Sequence, residues 1–387
     1  YKDLKDYEKA LEAYHSCLKI NKKSPELFYN IGILFAVQHK YEEAAINYKK
    51  TLKIDPTNKF AFNNLANVYK ELSKFTEAIE LYKKAIEIDN KYFQAHFNLG
   101  LVLLLKEPSS LAWEKYEYRE SKIKNINIIK DIPKWEGSNL KNKTLLIVCE
   151  QGIGDNVQFI RYVKKIKKNQ SNIFLLIKKN LISLFENINE VEKIFINEND
   201  IPSIDFYISS MSLPFVFRYE KSLPPPYRFF KTNPKLKKYW ELKLNKEKKI
   251  KIGIIWQGDK LNRKIDFKRS IPLKILQPIL ELKEIKFVSL QKDFGREQIK
   301  LNKFENLITD FYGNIDQKPF EDTLSIIECL DIVISVDTSI AHIAATMNKN
   351  TWIIIPHVPD FRWGLKGQKT IWYDNVKLYR QKKLNNW

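Results

Sequence analysis

Residues 41–56 read YEEAAINYKKTLKIDP, a helix-length stretch closed by Asp55-Pro56. Its apolar positions recur on both sides at a period of about 34 residues. Ala10, Ala44 and Ala78 are so spaced, as are Tyr14, Tyr48 and Tyr82, Leu18, Leu52 and Ile86, and Ile20, Ile54 and Ile88. A second set, Asn30, Asn64 and Asn98, is followed two residues on by Gly32, Ala66 and Gly100. The small residues let two helices approach closely, and the large ones are expected to fill the space between neighbouring pairs. A helix–turn–helix of this size cannot bury its own apolar face and must stack on the next. The spacing predicts second helices over 7–20, 41–54 and 75–88 and first helices over 25–38, 59–72 and 92–105. The Pro expected after each second helix stops it and opens the next pair. Pro108 opens a last helix through Trp113, Tyr116 and Tyr118.

This signature resembles the tetratricopeptide repeat, with Tyr41-Glu42-Glu43-Ala44 and Ile54-Asp55-Pro56 as its best-preserved pieces. The resemblance implies an α-helical solenoid over 1–122 whose concave groove takes a protein or peptide partner. The other reading is that the repeats only extend and stabilise the second half.

The chain has 387 residues, enough for two or three domains with a sizeable core. Its longest apolar run, Leu99 to Leu105, is too short to span a bilayer, so at most peripheral membrane contact is expected. No secretory signal opens the chain, and the first residue, Tyr1, falls in mid-repeat, as in a fragment of something longer. Three scattered cysteines, Cys17, Cys149 and Cys329, form no disulfide framework or metal pair, which suits a cytoplasmic protein. The net charge of +20 comes mainly from lysine, without any recognition motif. It reads as compositional drift, and no specific nucleic-acid partner is expected.

From 123 to 142 helical periodicity is lost, which suits a linker. Lys143 to Glu150 is then a continuous apolar run of strand length, followed by Gln151-Gly152-Ile153-Gly154-Asp155 and an amphipathic helix. Strand, glycine turn and helix open a βαβ unit. Further strands are expected at 172–177 and 205–209, completing a first Rossmann-like domain over 143–230. Pro224-Pro225-Pro226 and a lysine-rich stretch mark an interdomain connection over 231–249. A second alternation over 250–387 predicts strands at 251–256, 285–290, 331–336 and 351–355, with helices near 272–281, 319–329 and 339–348. Two such domains face a cleft, and ligands bind beyond the carboxyl ends of the strands.

Four loops there carry candidate chemistry. In Gly152 to Asp155 the glycines admit a ligand to the backbone, and Asp155 is either a general base or a helix cap. In Ser335 to Ser339, Asp337, Thr338 and Ser339 start a helix whose free N–H groups suit a diphosphate, with His342 in its first turn. The His could donate to a phosphate or serve only as a satisfied structural group. Trp256-Gln257-Gly258 ends a strand and leads to Arg263, Lys264, Lys268 and Arg269, with Arg269-Ser270 best placed for phosphate. Residues 356–363 bring Arg362 and Trp363, either as a rim closing on a base or sugar or as a packed loop. No phosphate-loop, metalloprotease or nucleophile-elbow motif is present, and an acidic D-x-D is missing. No metal or cofactor is therefore expected.

Taken in order, EQGIGDNVQFIRYV (150–163), RSIP (269–272), VSLQ (288–291), LDIVISVDTSIAHIAA (330–345), PDFRWGL (359–365) and LYRQ (378–381) resemble the family 9 glycosyltransferases, which include the ADP-heptose:lipopolysaccharide heptosyltransferases. The nearest pattern is that of bacterial members with tetratricopeptide repeats in front. The resemblance implies a GT-B fold, with the acceptor (glycan, lipid-linked or protein) in the first α/β domain and a nucleotide sugar in the second. It implies Asp155 as the base. It matches Asp337, Thr338, Ser339 and His342 to the nucleotide–diphosphate motif; with Arg269 as the best phosphate ligand, Gly152, Gly154, Trp256, Gly258, Ser270, Gln291, Arg362 and Trp363 complete the expected donor site. Ser339 stands where heptosyltransferases usually have Gly, so an ADP-heptose donor does not follow. The alternative is a non-catalytic repeat scaffold with a degenerate transferase-like half.

Overall fold

The computed structural model describes residues 6–119, 129–166, 171–217, 224, 228–245, 248–258, 268–292, 294–311, 318–384 and 386–387. They fall into two compact units, Tyr1–Glu120 and Ser121–Trp387.

The first unit holds α1 (Tyr7–Ile20), α2 (Pro25–Val37), α3 (Tyr41–Ile54), α4 (Lys59–Glu71), α5 (Phe75–Ile88), α6 (Phe93–Lys106) and α7 (Ser110–Tyr116). Local chemistry sets where these helices start. Ser24 Oγ accepts from Leu27 N at 3.3 Å with Pro25 in the first turn, and Asn58 Oδ1 accepts from Ala61 N at 2.9 Å. Such caps satisfy N–H groups that have no partner inside the helix. α6 starts after Tyr92, with no proline and no side-chain cap. The turns within two of the pairs pass through left-handed His39 and Ser73, at φ 60° and 59°, one repeat apart.

The small-against-large pairing is direct. A Cβ added to Gly32 would lie 2.7 Å from the Tyr48 ring, and one added to Gly100 would lie 2.6 Å from the backbone nitrogen of Tyr116. Ala44, Ala78, Tyr48 and Tyr82 are buried in these seams. The isoleucine set departs from the expectation: Ile20, Ile54 and Ile88 are 91%, 38% and 40% exposed. Each is the last residue of its helix, where the chain leaves the stack, so equal spacing does not bring equal burial. Gly100→Ala should destabilise this unit by about 1–3 kcal/mol, because the opposing backbone cannot yield and the helix gain of Ala over Gly is smaller. Thermal unfolding followed by helical circular dichroism would check this; an unchanged midpoint would contradict it.

The second unit contains two parallel sheets. The first comprises β1 (Thr144–Val148), β2 (Asn172–Leu176), β3 (Lys193–Phe195) and β4 (Phe206–Ser209), in the order β3-β2-β1-β4. The second comprises β5 (Ile250–Ile255), β6 (Ile285–Ser289), β7 (Ile308–Thr309), β8 (Ile332–Val336), β9 (Asn350–Ile355) and β10 (Val376–Arg380), in the order β10-β9-β8-β5-β6-β7. The central strands are almost wholly buried, as their unbroken apolar runs require. In each sheet the chain first builds outward to one side and then crosses back. The reversals fall between β1 and β4 and between β5 and β8, and these are the topological switch points at which open α/β sheets bind ligands.

Strands β3, β7 and β10 are additions to the sequence reading; the first two have only three and two residues. Residues 133–135, read as linker, pair with Tyr207: Trp135 N donates to Tyr207 O at 2.8 Å and Tyr207 N to Pro133 O at 3.2 Å. The interdomain connection contains a helix, Pro234–Leu244, whose Trp240 is buried and donates to Asp322 Oδ1 at 2.7 Å. Among the described residues no helix is long and apolar enough to cross a membrane.

Candidate functional site

The loop after β1 passes through Gln151, left-handed at φ 63°, into the short helix α8 (Ile153–Phe159). Asn156 secures it: Nδ2 donates to the carbonyls of Glu150 and Gly152, each at 2.9 Å, and Oδ1 accepts from Ser210 Oγ at 2.7 Å. Glu150 accepts from Ser209 Oγ. The loops on both sides of the first switch point are thus tied together. Asp155 Oδ2 accepts from Gly152 N at 2.9 Å, so the capping role exists. Its Oδ1 also pairs with Arg362 Nη2, which belongs to the second sheet's domain.

Arg362 is the hub of that contact. It is 8% exposed and donates from Nε to Gln158 Oε1 at 2.8 Å and from Nη1 to Asp360 Oδ1 at 2.6 Å. A second arginine spans the same interface. Arg161, in the turn after α8, donates from Nε to Gln158 O at 2.7 Å and from Nη1 to Trp372 O at 2.9 Å. Its guanidinium lies 4.9 Å from the Tyr373 ring centre.

At the second switch point Asp337 and Thr338 lead from β8 into the helix Ser339–Thr346. Thr338 Oγ1 lies 3.1 Å from Ser335 Oγ, and the Thr caps through its backbone only. The helix comes against α8 so closely that a Cβ on Gly154 would lie 2.7 Å from His342 Cδ2. Gly154 is therefore needed for interdomain contact, whatever else it does. His342 stacks on Trp363 with ring centres 5.2 Å apart, and its Nδ1 is 2.9 Å from Tyr373 Oη. Burial, and then the charges of Arg362, Arg161 and Arg269, hold its pKa well below the usual histidine value, so the ring is neutral at pH 7.

Asp337 is pushed up to about 6, first by burial and then by the negative charge of Asp360, against the pull of Arg362 and Arg269. Its folded value exceeds the unfolded 3.8, so folding takes up a proton between the two. The stability this group lends is fullest below pH 4 and is lost as pH rises through about 6. Asp337→Asn should therefore gain on the wild type by on the order of 2–3 kcal/mol between pH 4 and 7. Denaturant unfolding at the two pH values tests this, and a constant difference would contradict it.

The remaining candidates lie elsewhere in the packing. Trp256 is fully buried, its Nε1 donating to Gly295 O at 3.1 Å. Gln291 Oε1 accepts from Gln257 N at 3.0 Å, while its Nε2 donates to Phe294 O at 2.7 Å. Both ends of that carboxamide hold the loop after β5 to backbone. Ser270 Oγ accepts from Gly258 N at 3.1 Å and fixes the same loop. Trp363 is only 1% exposed, so it supports His342 from behind instead of forming a rim. The structure thus gathers Asp155, Arg362, Asp337 and His342 into one neighbourhood, with Arg269 close enough to act on the last two electrostatically. Arg263 and Lys264 lie outside the described residues. Arg161, Asp360 and Tyr373 were missed; the first two sit inside quoted motifs, but nothing local shows that Arg161 reaches across domains or that Asp360 holds Arg362. Among the described residues no group of three or more His, Cys, Asp or Glu is placed to hold a metal ion.

The first unit is a tetratricopeptide-repeat stack, and the second has the GT-B fold of two parallel α/β domains meeting at their switch points. Tetratricopeptide-repeat family models match residues 1–24, 47–80 and 66–106. A curated relative, protein FlbA of Caulobacter vibrioides, is 24% identical over 316 residues, covering 75% of this chain and 52% of that protein. The chain therefore spans about half the length of the curated relative it matches. The family 9 glycosyl transferase from Veillonella parvula is 9% identical with a TM-score of 0.50, covering 64% of this chain and 88% of its own. That likeness shows the fold of the second unit. E. coli ADP-heptose lps heptosyltransferase II is also similar, at TM-score 0.45 and 10% identity, over 63% of this chain and 92% of its own.

Proposed function

We propose that the second unit is a nucleotide-sugar-dependent glycosyltransferase working without a metal, and that the repeats hold a polypeptide partner. The observation that carries the enzymatic reading is the convergence of the two switch-point loops, with Gly154 against His342 and Asp155 against Arg362. In this reading Asp155 takes the proton of an acceptor hydroxyl as its oxygen attacks the anomeric carbon. The departing nucleoside diphosphate is stabilised by Arg269 and by the amides opening the Ser339–Thr346 helix. Glycan, lipid-linked and protein acceptors all fit this chemistry. Support for a polypeptide comes from a line of polar side chains, amides on two first helices and the Tyr29 hydroxyl on a third. Asn64 Nδ2 donates to Tyr29 Oη at 3.0 Å, Asn98 Nδ2 to Asn63 Oδ1 at 2.9 Å and Gln94 Nε2 to Asn98 Oδ1 at 3.0 Å. Such groups match the N–H and C=O of an extended chain without selecting its sequence.

One observation favours the non-catalytic scaffold: both oxygens of Asp155 are engaged, by Arg362 and by the Gly152 N–H. An acceptor hydroxyl must displace the guanidinium or share the cap. Titration of ADP-, UDP-, GDP- and dTDP-sugars against wild type and Asp337→Ala separates the two readings. One donor should bind, at least tenfold more weakly to the variant. Absence of binding to the wild type would rule out the enzyme.

A further inference from the structure

At the far end of the Ser339–Thr346 helix, away from the switch points, the surface of the second unit holds an open cleft of about 650 Å³. That is the size range of small-molecule sites. Its charge is one-sided: Arg228, Lys231, Lys237 and Lys349 line it, against the single carboxylate of Glu328. Glu328 is already compensated, since Lys237 Nζ donates to Oε1 at 2.8 Å and Thr232 Oγ1 donates to Oε2. Lys349 Nζ donates to the carbonyls of Glu328 and Leu330 at 2.6 and 2.7 Å, which leaves one of its three N–H groups over. Among the described residues Arg228 and Lys231 pair with no carboxylate. Cations held in a concave wall focus their field into it, and a bound polyanion would relieve their repulsion. Burial pulls the pKa of Lys349 below the usual lysine value, while the charges of Glu328 and Asp331 act against that shift.

We propose that this cleft is a second ligand site, separate from the candidate active site, that takes a small phosphate-bearing polyanion. Arg228, Lys231 and Thr232 belong to the segment that joins the two sheets, whereas Lys349 stands at the edge of β9. A polyanion bridging them ties the connecting segment to the second domain. The proposal does not depend on the glycosyltransferase reading.

Pyrophosphate titrated into the whole chain at 0.15 M salt, followed by calorimetry, tests it. R228Q/K231Q should weaken binding at least tenfold, while K377Q, on β10, should leave it within twofold. Both cleft residues are exposed, so their replacement should leave the thermal midpoint unchanged. Failure of pyrophosphate to bind, or equal weakening by K377Q, would each overturn the site. Nucleotide-sugar binding that persists in R228Q/K231Q would keep the two sites distinct; its loss in that variant would merge them and overturn the proposal.

Discussion

Arg362→Met is expected to lower the stability of the second unit by about 2–4 kcal/mol and its thermal midpoint by roughly 5–10 °C. Methionine replaces most of the volume but none of the five donors. What remains is a cluster of Asp155, Asp360 and Asp337 with only Arg269 still countering Asp337. Removing one partner of a fully buried pair costs about 3–5 kcal/mol. The lower figure applies because the side chains of Asp155 and Asp360 keep 21% and 35% of their exposure. The deficit should shrink on acidification, since protonating Asp337 removes one of the opposed charges. Tryptophan fluorescence isolates the right unit: only Trp113 lies in the first, and the other seven lie in the second. A deficit that is the same at pH 5 and pH 7.5, or smaller than 1 kcal/mol, would mean that the cluster is solvated.

The sequence exposed some parts of this arrangement because they are local. The turn from β1 into α8 is announced by glycines after a buried strand, and the turn from β8 into the Ser339–Thr346 helix by capping residues after one. Both loops were placed without reference to their partners. Strand order was not legible, because β3 and β7 are too short to give a pattern and pairing is non-local. The side-chain assignments that shifted share one cause. Trp256, Gln291 and Trp363 are polar-capable residues at strand ends or in loops, positions that suit a ligand. Whether such a group meets a ligand or the backbone behind it depends on rotamer and neighbour, and spacing carries neither. Gln291 clasping the loop after β5 and Trp363 backing His342 are outcomes of packing.

The same limit hid the interface. Asp155 and Arg362 are 207 positions apart, and no periodicity joins them. Once they are joined, a division of labour follows: Arg161 and Gln158 are wholly structural, whereas Arg362 is shared between structure and the candidate base. Arg161 contacts carbonyls, aromatic faces and the Tyr373 hydroxyl, and no carboxylate among the described residues. Arg362 contacts two carboxylates, one of which the proposed chemistry needs. Movement of Arg362 between Asp155 and a bound phosphate would couple donor binding to release of the base.

That coupling sets the expected behaviour of Asp155→Asn. Asparagine keeps an oxygen to accept from the Gly152 N–H, so the cap survives, but it cannot accept a proton at neutral pH. Turnover should fall by about 10²–10⁴, the contribution typical of a positioned general base. Donor affinity should stay within a few-fold, because the phosphate contacts are assigned to the opposite wall. The freed guanidinium keeps Asp360 and Gln158, which limits the loss of stability to about 1–2 kcal/mol. Single-turnover transfer, donor titration and the unfolding midpoint on one preparation separate these terms. Unimpaired transfer would remove Asp155 as the base, leaving it as a cap and interdomain ion pair. A parallel collapse of donor affinity would mean that the carboxylate acts by holding Arg362 in place.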